Sequence, residues 1–239
     1  MNNKRVWESL ILGAFIGLGL IILGYFLADS VTRLKAQDRT VTVKGLAEQE
    51  MPADIAIWPI RFTVADNDLS NLFTVIQRNN ALVMEFLKNH GFSEQEISIS
   101  VPAILDRQAQ EYVDASKTQY RYSAFSAITV YTDKVAKVRE TMEKIVELVE
   151  HGIAIAGSNY QSKPQFLFTR LNDLKPAMIE KATQEARQVA EKFAKDSGSQ
   201  LGKIKRARQG LFEIKDRDSN TPYIKKIRVV STIEYFLSD

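Results

Sequence analysis

His90 and His151 are the only imidazoles in the 239-residue chain, and the chain has no cysteine. The absence of thiols excludes disulfides, cysteine nucleophiles and cysteine-ligated zinc or iron–sulfur centres. Each histidine stands immediately before a glycine, Gly91 or Gly152, at the end of a helical apolar period. A cation there is favoured by the negative end of the helix dipole by about 0.3–1 kcal/mol. That reading accounts for both histidines, and the competing one is a joint acid–base or metal role. No His-Glu-x-x-His, Gly-x-Ser-x-Gly elbow, phosphate-binding P-loop or Gly-x-Gly-x-x-Gly is present.

Carboxylates are plentiful at expected strand ends and loops: Asp54, Asp66, Asp68, Asp106, Glu111 and Asp114. Paired carboxylates act as acid and base only at a defined separation, so these read as solvated caps. Tyr112, Tyr120, Tyr122 and Tyr131 either form a stacking platform or interface, or are cross-strand residues of a half-buried sheet. Lys203-Ile204-Lys205-Arg206-Ala207-Arg208 alternates basic and apolar residues on a strand. Its basic face suits an approach to anionic lipid, or a charged solvent face that blunts a sheet edge. No catalytic, cofactor-binding or metal residue is assigned, no cofactor is implied, and catalysis is not expected.

With 45% hydrophobic residues the chain can bury a real core, as one domain or two small ones. The net charge of +3 is too small to argue for nucleic acid as a partner. Ser9 to Ala28 is uncharged and overwhelmingly apolar, and Lys4 and Arg5 precede it. Its twenty or so residues would span roughly 30 Å as a helix, the thickness of a bilayer core. A cleavable signal peptide has a shorter apolar run and a small-x-small site, and Leu34-Lys35-Ala36 is a poor one. The expectation is a signal anchor in membrane lipid, a bacterial inner-membrane single pass with the C-terminal domain in the periplasm. The alternative is a cleaved, soluble periplasmic protein. Gly13-x-x-x-Gly17 could pair such helices, although glycine is common in membrane helices. Residues 1–35 thus form a short cytoplasmic tail, the anchor and a juxtamembrane linker, and residues 36–239 form the exported domain.

After the linker, Thr40 to Gly45 alternates as a strand, with a turn expected over Ala47 to Pro52. Ala53 to Val64 is a second strand whose Trp58, Ile60, Phe62 and Val64 share one face. Pro59 removes a ladder donor, so an edge or bulge is expected near it. Asp66-Asn67-Asp68 starts a helix with Leu69, Leu72, Phe73, Ile76, Val83 and Leu87 on one face, interrupted at Asn80 and ended by Gly91. Glu96 to Ile104 is a strand with Ile97, Ile99 and Val101 on one face; Leu105 to Gln119 has no clear period; Tyr120 to Tyr131 is a strand. Thr132-Asp133 caps a second helix with the stripe Val135, Val138, Met142, Ile145 and Val149. Ile153 to Ser158 and Lys163 to Thr169 are strand-like, and Lys203 to Ile214 with Tyr223 to Leu237 closes the chain across a turn at Asp216 to Pro222.

The order from Ala53 to Thr169 is β-α-β-β-α-β, that of a split βαβ or ferredoxin-like unit. The class is α+β, with a mixed, mostly antiparallel sheet, a third helix and a C-terminal hairpin. That third helix is entered through Asn172-Asp173 with Pro176 in its first turn. Ala182, Ala186, Ala190 and Ala194 form a small-residue ridge, widened by Met178, Val189 and Phe193, and Gly198 ends it in a left-handed conformation. A ridge of this kind allows close approach to a sheet.

Thr40 to Leu237 resembles the SIMPL-domain family of bacterial envelope proteins, the YggE-like proteins. The resemblance rests on Val41-Thr42-Val43-Lys44-Gly45, Ala47-Glu48 and Pro52-Ala53-Asp54. Its strongest part is Ala182-x-x-x-Ala186-Arg187-x-x-Ala190-x-x-x-Ala194, followed by Gly198, Leu201-Gly202 and Ile204, with Val229 to Leu237 as a closing strand. It implies an exported α+β domain that forms homo-oligomers, including ring-like ones, with an association to envelope or oxidative stress and no established catalytic residues. The chain departs from many members in keeping an anchor-like segment. The resulting expectation is a self-associating structural or scaffolding protein. The alternatives are an accessory or ligand-binding subunit of a membrane complex and a carboxylate- or histidine-dependent hydrolase.

Overall fold

The structure is a computed structural model that describes residues 7, 13, 15–27, 39–109, 119–155 and 162–238. Residues 15–27 are helical, and their apolar side chains point to solvent on every side, with Phe15, Ile21 and Tyr25 each more than 70% exposed. Among the described residues no helix is long and apolar enough to cross a membrane. The expected span Ser9–Ala28 extends into residues outside the described ones.

Two compact units follow from the contacts. The first comprises residues up to Glu48, Lys175–Phe212 and Arg228–Asp239, and the second Gln49–Leu174 and Glu213–Ile227.

The second unit holds an antiparallel sheet. Its strands are β2 (Ile55–Asp66), β3 (Ile97–Ile99), β4 (Ala103–Asp106), β5 (Tyr122–Thr132) and β6 (Gln165–Leu167). They lie in the order β3-β5-β2-β6, with β4 also on β5. Taken in chain order, that arrangement is the 2-3-1-4 of a split βαβ unit, as the pattern predicts. Period-two alternation puts Ala56, Trp58, Ile60, Phe62, Ile128 and Val130 on one buried face. Against it pack Val83, Phe86 and Leu87 of α1 (Leu69–Asn89), Val138 of α2 (Val135–Glu143) and Leu148 of α3 (Val146–Glu150). The opposing register Trp58↔Val130 and Ile60↔Ile128 places large apolar residues directly across from each other.

Several expectations change here. No bulge accompanies Pro59, because the β2–β5 register runs unbroken from Ala56↔Thr132 to Asp66↔Tyr122. On the other side of β2, among the described residues, the β6 ladder covers Ile55 to Ile57 and a bridge joins Phe62 to Ile155. The strand expected over Ile153 to Ser158 lies largely outside the described residues, as does whatever stands beside Pro59 on that side. The expected strand Glu96 to Ile104 is two short strands, and of its apolar face Ile97 packs on the core while Ile99 and Val101 are exposed.

The second helix is broken at Lys144 and Ile145 into α2 and α3, and its cap is Lys134 rather than Thr132-Asp133. The break rotates the buried stripe, so that Leu148 is buried and Val149 is 53% exposed. In α1 the Asp68 side chain caps Asn71 N–H as expected, and the polar interruption of its apolar face is satisfied across the core, Ser126 Oγ lying 3.0 Å from Asn80 Oδ1. Leu69 and Phe73 lie outside that core. Residues 110–118 and 156–161 lie outside the described residues. The expected strand Lys203 to Ile214 is two, β7 (Gln200–Gln209) and β8 (Glu213–Asp216), interrupted at residues 210–212, and both pair with β9 (Ile224–Ser238), β8 through the turn expected across Asp216 to Pro222.

The first unit is a second sheet, of order β1-β9-β7, from β1 (Thr40–Pro52), β7 (Gln200–Gln209) and β9. β1 continues to Pro52 instead of ending at Gly45. α4 (Leu171–Asp196) starts earlier than its sequence signals suggest, so Pro176 is inside it rather than in its first turn. Ala182, Ala186, Ala190 and Ala194 are all buried, and Ala186 and Ala190 pack on Val43, Ile233 and Tyr235. The ridge is narrower than predicted: Met178 is buried, whereas Val189 and Phe193 are 39% and 56% exposed.

Small residues on both sides set the distance. A Cβ at Gly45 would collide with the Ala182 carbonyl and fall 2.6 Å from the Ala186 nitrogen. Past Gly198 (φ 68°) the helix closes with Ser199 N–H on Ala194 O at 2.8 Å.

Candidate functional sites

The two histidines are helix C-caps, as their glycines imply. His90 closes α1 and His151 closes α3, with Gly91 at φ 84° and Gly152 at φ 78° supplying the left-handed residue. The fold then does something that neighbouring residues in sequence do not reveal. It brings both imidazoles to one cleft of about 200 Å³, lined also by Leu82, Glu85, Phe86, Asn89, Glu147 and Leu148. His90 Nδ1 lies 2.8 Å from Phe86 O, and its ring lies 4.4 Å from the Phe86 ring. Against a carbonyl, Nδ1 is the donor, in the neutral and the charged ring alike. Among the described residues no three His, Asp or Glu side chains are grouped so as to hold a metal ion. Helix α3 carries His151 there through the α2–α3 break, which the unbroken stripe read from sequence concealed.

A larger cleft of about 540 Å³ is lined by Pro52, Ala53, Asp133, Lys134, Val135, Ala136, Lys137, Arg139 and Tyr223. Its best-positioned group is Arg139, whose guanidinium lies 3.6 Å from the Tyr223 ring centroid. Tyr223 is itself held by an edge contact to Phe166 and by its carbonyl, which accepts Ala53 N–H at 2.8 Å. Lys134 is engaged by Glu96 at 2.8 Å. Burial pushes the Glu96 carboxyl up, but bonds from Lys134, Thr132 and Ser93 outweigh it and hold the group at about 2. No sequence signal marked Arg139 or Tyr223, because their pairing joins residues far apart in the chain.

The flagged carboxylates are structural where they are described. Asp54 accepts from Thr169 N at 2.9 Å, Thr169 Oγ1 at 3.1 Å and Arg170 N at 3.2 Å, which ties the end of β6 to β2. Asp66 accepts from Asp68 N and Asn71 Nδ2, and Asp106 takes a two-pronged contact from Arg121. The Arg121 guanidinium holds the Asp106 carboxyl below the usual range. Glu111, Asp114 and Tyr112 lie outside the described residues.

Of the described tyrosines, Tyr122 and Tyr131 do not share a face. Tyr122 packs toward Leu72 and Ile76, whereas Tyr131 is 55% exposed on the opposite face of β5. On that outer face, register places Leu167 beside Ile55, Ile57 beside Tyr131, and Phe125 between Thr63 and Ala103. Phe125, Tyr131, Leu105 and Leu167 are all at least 40% exposed there.

The fold is α+β, with helices packed on antiparallel sheets. The chain belongs to the family described as SIMPL, protein of unknown function (DUF541), which matches residues 41–228. No curated protein matches it.

Proposed function

We propose that this chain is a membrane-anchored envelope protein whose exported domain faces the periplasm and self-associates as a scaffold without catalysing a reaction. The observation that carries the scaffold reading is the outer face of the β2–β5 sheet. Phe125, Tyr131, Leu105 and Leu167 share it in solvent, and a cluster of that kind marks an interaction surface. The anchor reading draws on the uncharged run Ser9–Ala28 and on a helix at residues 15–27 that is apolar all round. Such a helix needs protein or lipid around it. The association with envelope or oxidative stress comes from the family resemblance alone.

Light scattering of the detergent-extracted full chain tests self-association, and a strict monomer at micromolar concentration overturns it. Extraction of membranes with alkaline carbonate tests the anchor: release into the supernatant refutes it.

A further inference from the structure

We propose that strand β7 is a lipid-facing edge: its cations Lys203, Arg206 and Arg208 rest on the phosphates of an anionic membrane surface. The proposal builds on the anchor reading above and adds what holds the domain against the bilayer.

Three observations carry it. First, β7 is uncovered. Every residue from Gln200 to Gln209 except Leu201 is exposed, since the strand pairs with β9 while α4 packs on β1 and β9. Second, its charge is of one sign and largely unneutralised. The stretch Gln200 to Phe212 contains no Asp or Glu. Arg206 stands opposite Glu234, but that carboxylate is taken by Lys205 at 3.6 Å and Thr40 Oγ1 at 3.0 Å. Lys203, Arg206 and Arg208 have no carboxylate partner among the described residues. Third, the chain enters this sheet beside the first residue of β7. Arg39 O accepts Leu237 N–H at 2.8 Å, Arg39 Nη2 donates to Ser199 Oγ at 3.2 Å, and Gln200 stands opposite Ser238.

Residues 28–38 separate the apolar helix from Arg39, a path of at most about 40 Å. A strand of this length extends about 33 Å, so all three cations can reach the surface that holds the anchor. Tethering of this kind gives an effective concentration in the millimolar range, so a weak electrostatic attraction suffices to keep the strand docked.

Other occupants fit less well. A second copy paired edge to edge would set Lys203, Arg206 and Arg208 against the same cations, and directly opposed like charges destabilise a strand pair. Simple edge protection is served by charge of either sign and predicts no preference among lipids. An acidic strand added to the open edge is the remaining competitor, and the experiment separates it.

The absence of native cysteine allows a single probe. The full-length chain carrying Gln209→Cys, labelled with an environment-sensitive dye, is placed in nanodiscs of phosphatidylcholine alone or of phosphatidylcholine with phosphatidylglycerol. Val101→Cys, at a site 90% exposed, is the reference position. The expected result is a blue shift and protection from iodide at position 209, with phosphatidylglycerol only, lost at about 1 M salt where screening reaches 3 Å. Neutralising one cation lowers the docked-to-undocked ratio about fivefold, and K203Q/R206Q/R208Q together by about two orders of magnitude. R206K/R208K retains docking, because a phosphate surface reads the charge; circular dichroism checks that each variant is folded.

Equal exposure in both lipids, or protection that survives the triple substitution, overturns the proposal. So does protection produced by an alternating Glu-Val peptide and not by phosphatidylglycerol. If the chain fails to enter nanodiscs at all, the anchor reading fails separately. Flotation of the labelled chain with phosphatidylglycerol vesicles then decides: binding supports the lipid-facing strand, and none overturns it.

Discussion

Gly45→Ala is the sharpest test of how the alanine ridge is seated. Gly45 lies between Val43 and Ala47 on the face of β1 that α4 covers, and all three are buried. Its φ is not in the left-handed range, so alanine suits the backbone and any cost is steric. The added Cβ would overlap the Ala182 carbonyl, 2.6 Å from the Ala186 nitrogen and 2.9 Å from the Ala182 carbonyl carbon. These are backbone atoms and cannot rotate away, so the helix must withdraw, loosening the contacts of Ala186 and Ala190 with Val43, Ile233 and Tyr235.

Overpacking of this kind costs about 1–3 kcal/mol, and the rigid obstacle puts it toward the upper end. Alanine also stiffens the unfolded chain, which returns about 0.4–1 kcal/mol. The net destabilisation is about 1–2 kcal/mol. Urea melts of the detergent-extracted full chain, followed by circular dichroism, should show a midpoint lower by about 0.5–1 M at an unchanged slope. Two controls isolate the cause. Ala182→Gly should not rescue the variant, because the obstacle is a main-chain oxygen. Gly152→Ala, at φ 78° with open space around it, should also cost about 1–2 kcal/mol, but through its dihedral. Gly152→Asn should recover part of that loss, and Gly45→Asn should not. An unchanged or raised midpoint for Gly45→Ala would refute backbone-distance packing of α4 on β1.

The other predictions concern named contacts. Replacing Ala186 with leucine should overpack the same interface by about 1–3 kcal/mol; loss of an oligomer with unchanged monomer stability would instead make the helix an interface. Ser126→Ala leaves the Asn80 amide oxygen without its buried donor and should lower stability by about 1–3 kcal/mol in the same melts; no change would mean that the bond contributes nothing. Glu96 has a carboxyl held at about 2, below its value of 4.5 in an unfolded chain. Its contribution is therefore complete above about pH 4.5 and is lost as pH falls toward 2. Glu96 is 16% exposed, so after allowance for solvent screening Glu96→Gln should cost about 1–2 kcal/mol at pH 7 and much less near pH 2. Equal losses at both pH values would disprove the charge-based account.

Local chemistry was legible wherever its cause was local. The left-handed glycines at Gly91 and Gly198 terminate helices because no side chain tolerates that φ so well, and the Asp68 cap needs only the next turn. The alanine ridge and the alternating faces of β2 and β5 follow from periodicity. Periodicity failed where an element changed phase. The break at Lys144 and Ile145 moved burial from Val149 to Leu148, and a single helical wheel through both halves cannot register it. It failed again at Val189 and Phe193, whose apolar character says nothing about how wide a sheet the helix meets. The clefts were illegible for the same reason: His90 with His151, and Arg139 with Tyr223, are joined by packing and not by spacing.

By itself, then, the chain's sequence determined its membership in the SIMPL family, its missing thiol chemistry, its helix ends and the core faces of its main strands. Each depends on residue type or on a repeat within one element. Only the tertiary structure decided that the strands divide between two sheets, that both histidines share a cleft, and that β7 stands uncovered. These depend on which surfaces meet, and burial of apolar area is non-directional until the chain's topology selects the partner.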